Sequence, residues 1–155
     1  MKRKISIVLI NIITLLFLFI LFACRKNDSI DPSNIILYNK PLTIIQHCIH
    51  GKWKLAYAKG GICSTCKYYC DSCFVEFTSS NKIICNSYVT TDGATTIHWI
   101  RDIGTYTNNE YTYLMSFSDK QGVPWVYVID RIYNDTLIYH DNSGDAMFYY
   151  YVRLK

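Results

Sequence analysis

The chain holds no G-x-S-x-G, no H-E-x-x-H and no P-loop. The first absence removes the exposed serine nucleophile of a strand–turn–helix elbow. The second removes a paired-histidine zinc site, and the third a glycine-rich phosphate cradle. Histidine is scarce. The four present, His47, His50, His98 and His140, show no spacing that sets two of them beside a carboxylate on one face of an element. His47 and His50, three apart, are the best pair, but on a short helix such a pair is ordinarily solvated. Alternation of strand and helix is missing too, which removes the usual setting of a thioredoxin-like redox motif. The chain is therefore not expected to be an enzyme or to hold a metal or cofactor.

What is present begins at the amino terminus. Lys2-Arg3-Lys4 precedes a 19-residue apolar run, Ile5 to Ala23, interrupted by Ser6, Asn11 and Thr14. A basic start, an apolar stretch and a small residue before a processing point describe a secretory signal peptide. Leu21-Phe22-Ala23-Cys24 resembles the bacterial lipobox, with Leu21, Ala23 and Cys24 at its defining places. That resemblance implies that residues 1–23 are removed and that the Cys24 thiol carries a diacylglycerol. The protein would then be lipid-anchored to the outer membrane of a bacterial envelope, facing periplasm or exterior. The competing reading is an uncleaved anchor, because the run is close to the roughly 20 residues that span a bilayer. Removing 23 of 155 residues leaves 132, enough for one domain with a real core. The removed segment takes three of the sixteen Lys and Arg and no acid, so thirteen bases face twelve acids. The overall charge of +4 thus belongs to the leader, and no basic stripe for nucleic acid remains.

Six cysteines follow Cys24: Cys48, Cys63, Cys66, Cys70, Cys73 and Cys85. Four of them fall in CSTCKYYCDSC, residues 63–73. An even number in an exported chain reads as disulfides, with fifteen connectivities open. A nest of Cys63–Cys73 around Cys66–Cys70 is one of them. Zinc ribbons place many more residues between their C-x-x-C pairs than the three found here.

Residues 25–33 are polar and carry Asp31-Pro32, so the block 24–40 reads as a lipidated tether. Pro41 to His50 fits a short helix, with proline in the first turn and Gly51 past its end. The period then changes to two. Trp53, Leu55 and Tyr57 alternate with polar or small residues, as do Tyr111, Tyr113, Met115 and Phe117. Short Asn-, Asp- and Gly-rich corners separate these runs and predict hairpins. Eight strands are expected, at 51–59, 73–79, 82–91, 94–107, 110–118, 123–133, 136–141 and 146–154, with a bend or bulge at Gly104. The expected fold is all-β: one eight-stranded antiparallel up-and-down barrel over 41–155 after a short N-terminal helix. Closure removes the exposed edges such a meander would leave.

Gly51-Lys52-Trp53 after a short helix resembles the G-x-W start of the lipocalins, and Arg153 stands where that family packs an Arg over the Trp. The chain from about residue 48 resembles the lipocalin-like domains of small bacterial lipoproteins. The resemblance implies that the first and last strands are neighbours and that segment 60–72 is a lid over the open end. It also implies a small apolar or amphipathic ligand inside. The alternative is a barrel filled by its own bulk, acting as a structural or protein-interaction module. An eight-stranded interior has room for one or the other.

Overall fold

The structure, a computed structural model, describes residues 31–86, 93–119 and 121–155. The expected signal peptide and Cys24 lie outside the described residues. Among the described residues, no helix is long and apolar enough to cross a membrane. The described residues hold one helix, α1 (Leu42–Ile49). The strands are β1 (Asn34–Ile36), β2 (Gly51–Gly60), β3 (Cys63–Tyr68), β4 (Phe74–Phe77), β5 (Lys82–Asn86), β6 (Gly93–Thr96), β7 (His98–Ile103), β8 (Tyr111–Ser118), β9 (Pro124–Tyr133), β10 (Thr136–Asp141) and β11 (Met147–Arg153).

The sheet is antiparallel and barrel-like. From β2 it runs through β4, β5 and β6, and from β7 through β8, β9, β10 and β11 back to β2. Only Ile97 separates β6 from β7, so the ring is nearly closed and broken at one kink. The physical cause is Asn81. Its backbone carbonyl accepts the Ile97 N–H (3.0 Å), and its side-chain amide donates to the Ile97 carbonyl (2.8 Å). Both backbone groups of Ile97 are thus satisfied away from the ladder. This corrects the single strand expected over 94–107: the break falls at Ile97, and the chain leaves the sheet after Ile103.

That split makes nine strands of the expected eight, and two further strands bring the count to eleven among the described residues. β1 pairs with residues 131–133 of β9, and Leu37 behind it is fully buried. The Leu37 and Tyr38 N–H groups both donate to the Asp130 carbonyl. The end of the block assigned to the tether is therefore part of the folded unit, which begins at Asp31. β3 pairs with β2 at residues 58–60, on the edge that β4 occupies at residues 51–54. It extends the wall, rather than lying across the mouth as a lid would.

The core holds Trp53, Val75, Phe77, Met115 and Phe117, all buried, with Leu55, Trp99 and Tyr113 packed against it. Two residues of the expected inner face are elsewhere. A register shift against β11 leaves Ala56 without a partner, so Tyr57 turns outward and stacks on Tyr150 at 4.4 Å. One extra residue is enough to exchange the faces of a strand. Tyr111 is 64% exposed, because β8 meets β9 only from Leu114 onward.

A second apolar cluster lies outside the barrel. Leu114, Val128, His140 and Phe148 form one row across β8 to β11, and the β7–β8 loop folds over it. The Tyr106 ring meets His140 and Phe148 edge-on at 5.5 and 5.3 Å, and its hydroxyl donates to the Gly144 carbonyl. His140 is left 1% exposed.

Candidate functional site

Three places bring functional side chains together: the seam between β2 and β11, the cysteine arm, and a cleft beside α1. At the seam, Trp53 and Arg153 are direct cross-strand partners. The guanidinium carbon stands 4.0 Å from the indole centroid. A cation over an indole contributes about 0.5–2 kcal/mol, more as water is excluded, and here Trp53 is fully buried. The guanidinium also donates to the Cys48 and His50 carbonyls (3.0 and 3.2 Å), while the Trp53 indole N–H donates to the Ile49 carbonyl (2.7 Å). The last carbonyls of a helix have no partner within it. At α1 three of them are capped by this one pair of side chains. Gly51 sits beneath at φ +113°, a conformation that glycine alone adopts without strain. Its hydrogen faces Arg153 with room to spare, so the backbone angle rather than crowding calls for glycine.

The arm is β3 with the link that follows it. Cys63 bonds Cys66 and Cys70 bonds Cys73. The pairing is therefore sequential, and the nested alternative is not what the structure contains. Ile62 is fully exposed, and Tyr68 and Tyr69 stand 49% and 68% exposed. Lys67 lies over Tyr57 at 4.6 Å, tying the arm back to the wall. Cys48 and Cys85, grouped by sequence with the disulfide candidates, are buried thiols instead. Cys48 is on the buried face of α1 and Cys85 in the β5 wall. Burial pushes the Cys48 thiol up against the opposing pull of Arg153, which makes it a poor nucleophile.

The cleft lies between α1, the β4–β5 turn and Trp99, and has a volume of about 360 Å³. Its floor is Ile49, Phe77 and Ile97, all buried, and its rim holds His47 and His50, both exposed. Asn81 organises it from the turn, at φ +59°. Its side-chain carbonyl accepts the Trp99 indole N–H (2.6 Å) and the Gln46 amide (3.3 Å). Asn81 thus locks helix, kink and indole to one another. The histidine pair stands out in the sequence, whereas Asn81 belongs there to the Asn-, Asp- and Gly-rich corners that predict hairpins. The signal available was its tolerance of positive φ, which says nothing about a tryptophan 18 positions away.

The interior beyond the seam is aromatic. Tyr127 packs against Phe117, Tyr139 and Tyr149, and Tyr139 stacks on Tyr151. Burial raises all four phenols, Tyr151 to about 12, so none ionises near neutrality. On β10, burial pushes the Asp141 carboxyl up and the His140 imidazole down. Among the described residues, no three or more His, Cys, Asp or Glu are grouped to hold a metal ion. The chain matches no family model, no curated protein and no solved structure.

Proposed function

We propose that the protein is a non-enzymatic, lipid-anchored envelope protein whose lipocalin-like barrel is filled by its own side chains and carries the cysteine arm as an interaction surface. The observation that carries this reading is the contrast between interior and arm. Trp53, Met115, Phe117, Tyr127, Tyr139 and Tyr151 occupy the inside and are 0–5% exposed. The arm, by contrast, keeps Ile62, Tyr68 and Tyr69 in water on a doubly cross-linked support. Exposed aromatic and aliphatic side chains on a pre-shaped element are what a protein partner anchors on, since little ordering entropy is lost on contact. Strand order, the Gly51-Lys52-Trp53 start and the Trp53–Arg153 contact support the likeness to lipocalin-like domains. The lipobox at Leu21 to Cys24 supports the anchor.

Two measurements test it. Cells fed labelled palmitate yield labelled protein, and Cys24→Ala abolishes the label; label retained by that variant overturns the anchor. Native mass spectra of the purified protein show the bare chain mass with its lipid. A stoichiometric apolar molecule that survives purification and is displaced only on unfolding overturns the filled barrel. A second reading, a small-molecule binding protein, is favoured by one observation, the cleft beside α1, which is within the size range of ligand pockets.

A further inference from the structure

The cleft beside α1 has a chemistry of its own, independent of the interaction reading. One wall is the Trp99 indole, half-buried and fixed by the 2.6 Å hydrogen bond to Asn81. The floor is apolar, from Ile49, Phe77 and Ile97. The rim offers the imidazoles of His47 and His50 and the Ser79 hydroxyl, and the described lining contains no Asp or Glu. A neutral imidazole always carries one N–H donor, whichever tautomer it adopts, and a protonated one carries two. A helix C-terminus normally repels anions through its bare carbonyls. At α1 those carbonyls are not bare: the Cys48 and His50 carbonyls are taken by the Arg153 guanidinium, itself paired with Asp135 at 3.8 Å, and the Ile49 carbonyl by Trp53.

We propose that this cleft binds a small planar aromatic acid, its ring stacked on Trp99 and its carboxylate held at the rim by His47 and His50. The geometry is pre-organised. Asn81 is hydrogen-bonded to Trp99, Gln46 and Ile97 at once, which fixes wall, helix and floor relative to one another and limits the ordering a ligand must impose. The cleft volume of about 360 Å³ admits one bicyclic ring system with a short acidic arm. Binding makes and breaks no covalent bond.

The test is a titration of the full chain in nonionic detergent with phenylacetate and its uncharged analogue phenylacetamide, followed by tryptophan fluorescence excited beyond the probes' own absorption. Phenylacetate is expected to give a saturable change that is absent in Trp99→Phe, a variant close in shape and still foldable. The double variant His47→Gln/His50→Gln, at two exposed positions, is expected to weaken phenylacetate about five- to tenfold, the scale of losing one hydrogen bond at a solvent-exposed rim. It should leave phenylacetamide unchanged. Three results overturn the proposal: no saturable change with phenylacetate, a change that persists in Trp99→Phe, or equal weakening of both probes by the histidine variant. Melting curves of both variants confirm that each is folded when titrated.

Discussion

The α1 end of the barrel and the cysteine arm are held together by opposite means. At the α1 end, Leu37, Ile45, Ile49 and Trp53 are 0–2% exposed, and the carbonyls at the helix C-terminus are met by Trp53 and Arg153. The arm buries little, with Ile62, Tyr68 and Tyr69 in solvent, and relies on two covalent links that each span three positions. Burial couples distant parts of the chain, so what happens at the α1 end is felt by the whole barrel. A disulfide between near neighbours closes a very short loop and removes little freedom from the unfolded chain. The arm's staples therefore shape a local surface and add little to global stability. Gly60, at φ +119° against the Ala146 carbonyl, marks the boundary between the two regimes: only glycine passes there as the chain leaves β2.

This comparison is broken most directly at Trp53. Trp53→Ala removes the largest fully buried side chain and the donor to Ile49, and is expected to cost about 3–5 kcal/mol. Chemical denaturation reads this, and a loss below about 1 kcal/mol denies the α1 end its leading role. Next, Arg153→Met keeps the apolar stem but leaves the Cys48 and His50 carbonyls without their donor, for an expected loss of about 1–3 kcal/mol. The exposed Asp135 carboxylate, 3.8 Å from the guanidinium, contributes little to that figure.

The arm is expected to respond differently. Cys63→Ser/Cys66→Ser should lower stability by less than about 2 kcal/mol while making segment 60–72 the first site of proteolytic nicking. A loss as large as that of Trp53→Ala would erase the distinction between the two regions. Thiol titration of the unfolded, unreduced chain should find the two thiols of Cys48 and Cys85 in the domain and no more.

The smallest expected effect is one of pH, and it acts apart from both regions, on the buried row that Tyr106 covers. Burial lowers the His140 pKa below its ordinary 6.5, so the native state binds the proton less well than the unfolded one. Its contribution is complete above pH 6.5 and is lost as pH falls through the lower native value. Asp141 carries the opposite sign: its pKa is raised above 3.8, so it favours the native state more as pH falls through the raised value. The other groups facing this pair are the Asp130 carboxylate, whose field favours His140 protonation, and the neutral Tyr149 hydroxyl, which hydrogen-bonds Asp141. His140→Gln should flatten the loss below pH 6.5, measured by melting temperature against pH; an unchanged slope would assign acid sensitivity elsewhere.

Much of the fold was legible from side-chain period and corner chemistry. Each expected strand has a counterpart, because hairpin corners such as Asn134-Asp135, both at positive φ, leave the next strand no choice but to pair with the last. The misreadings share one cause. Ile97, Tyr57 and β1 depart from the expected pattern through partners far along the chain: Asn81, β11 and β9. The pairing of the four clustered cysteines was likewise open, since every connectivity fits the same spacing.

By itself, the order of residues determined that this domain is an antiparallel meander of β-strands, since period two and tight turns are local properties set by sterics. Only the folded barrel decided which tyrosines face inward, which cysteines meet, and that an asparagine, an indole and two imidazoles enclose one cleft. Those outcomes depend on a single-residue bulge and on hydrogen bonds between residues up to 105 positions apart, such as Arg153 to Cys48. Such bonds form only after the ring of strands has brought their partners within reach.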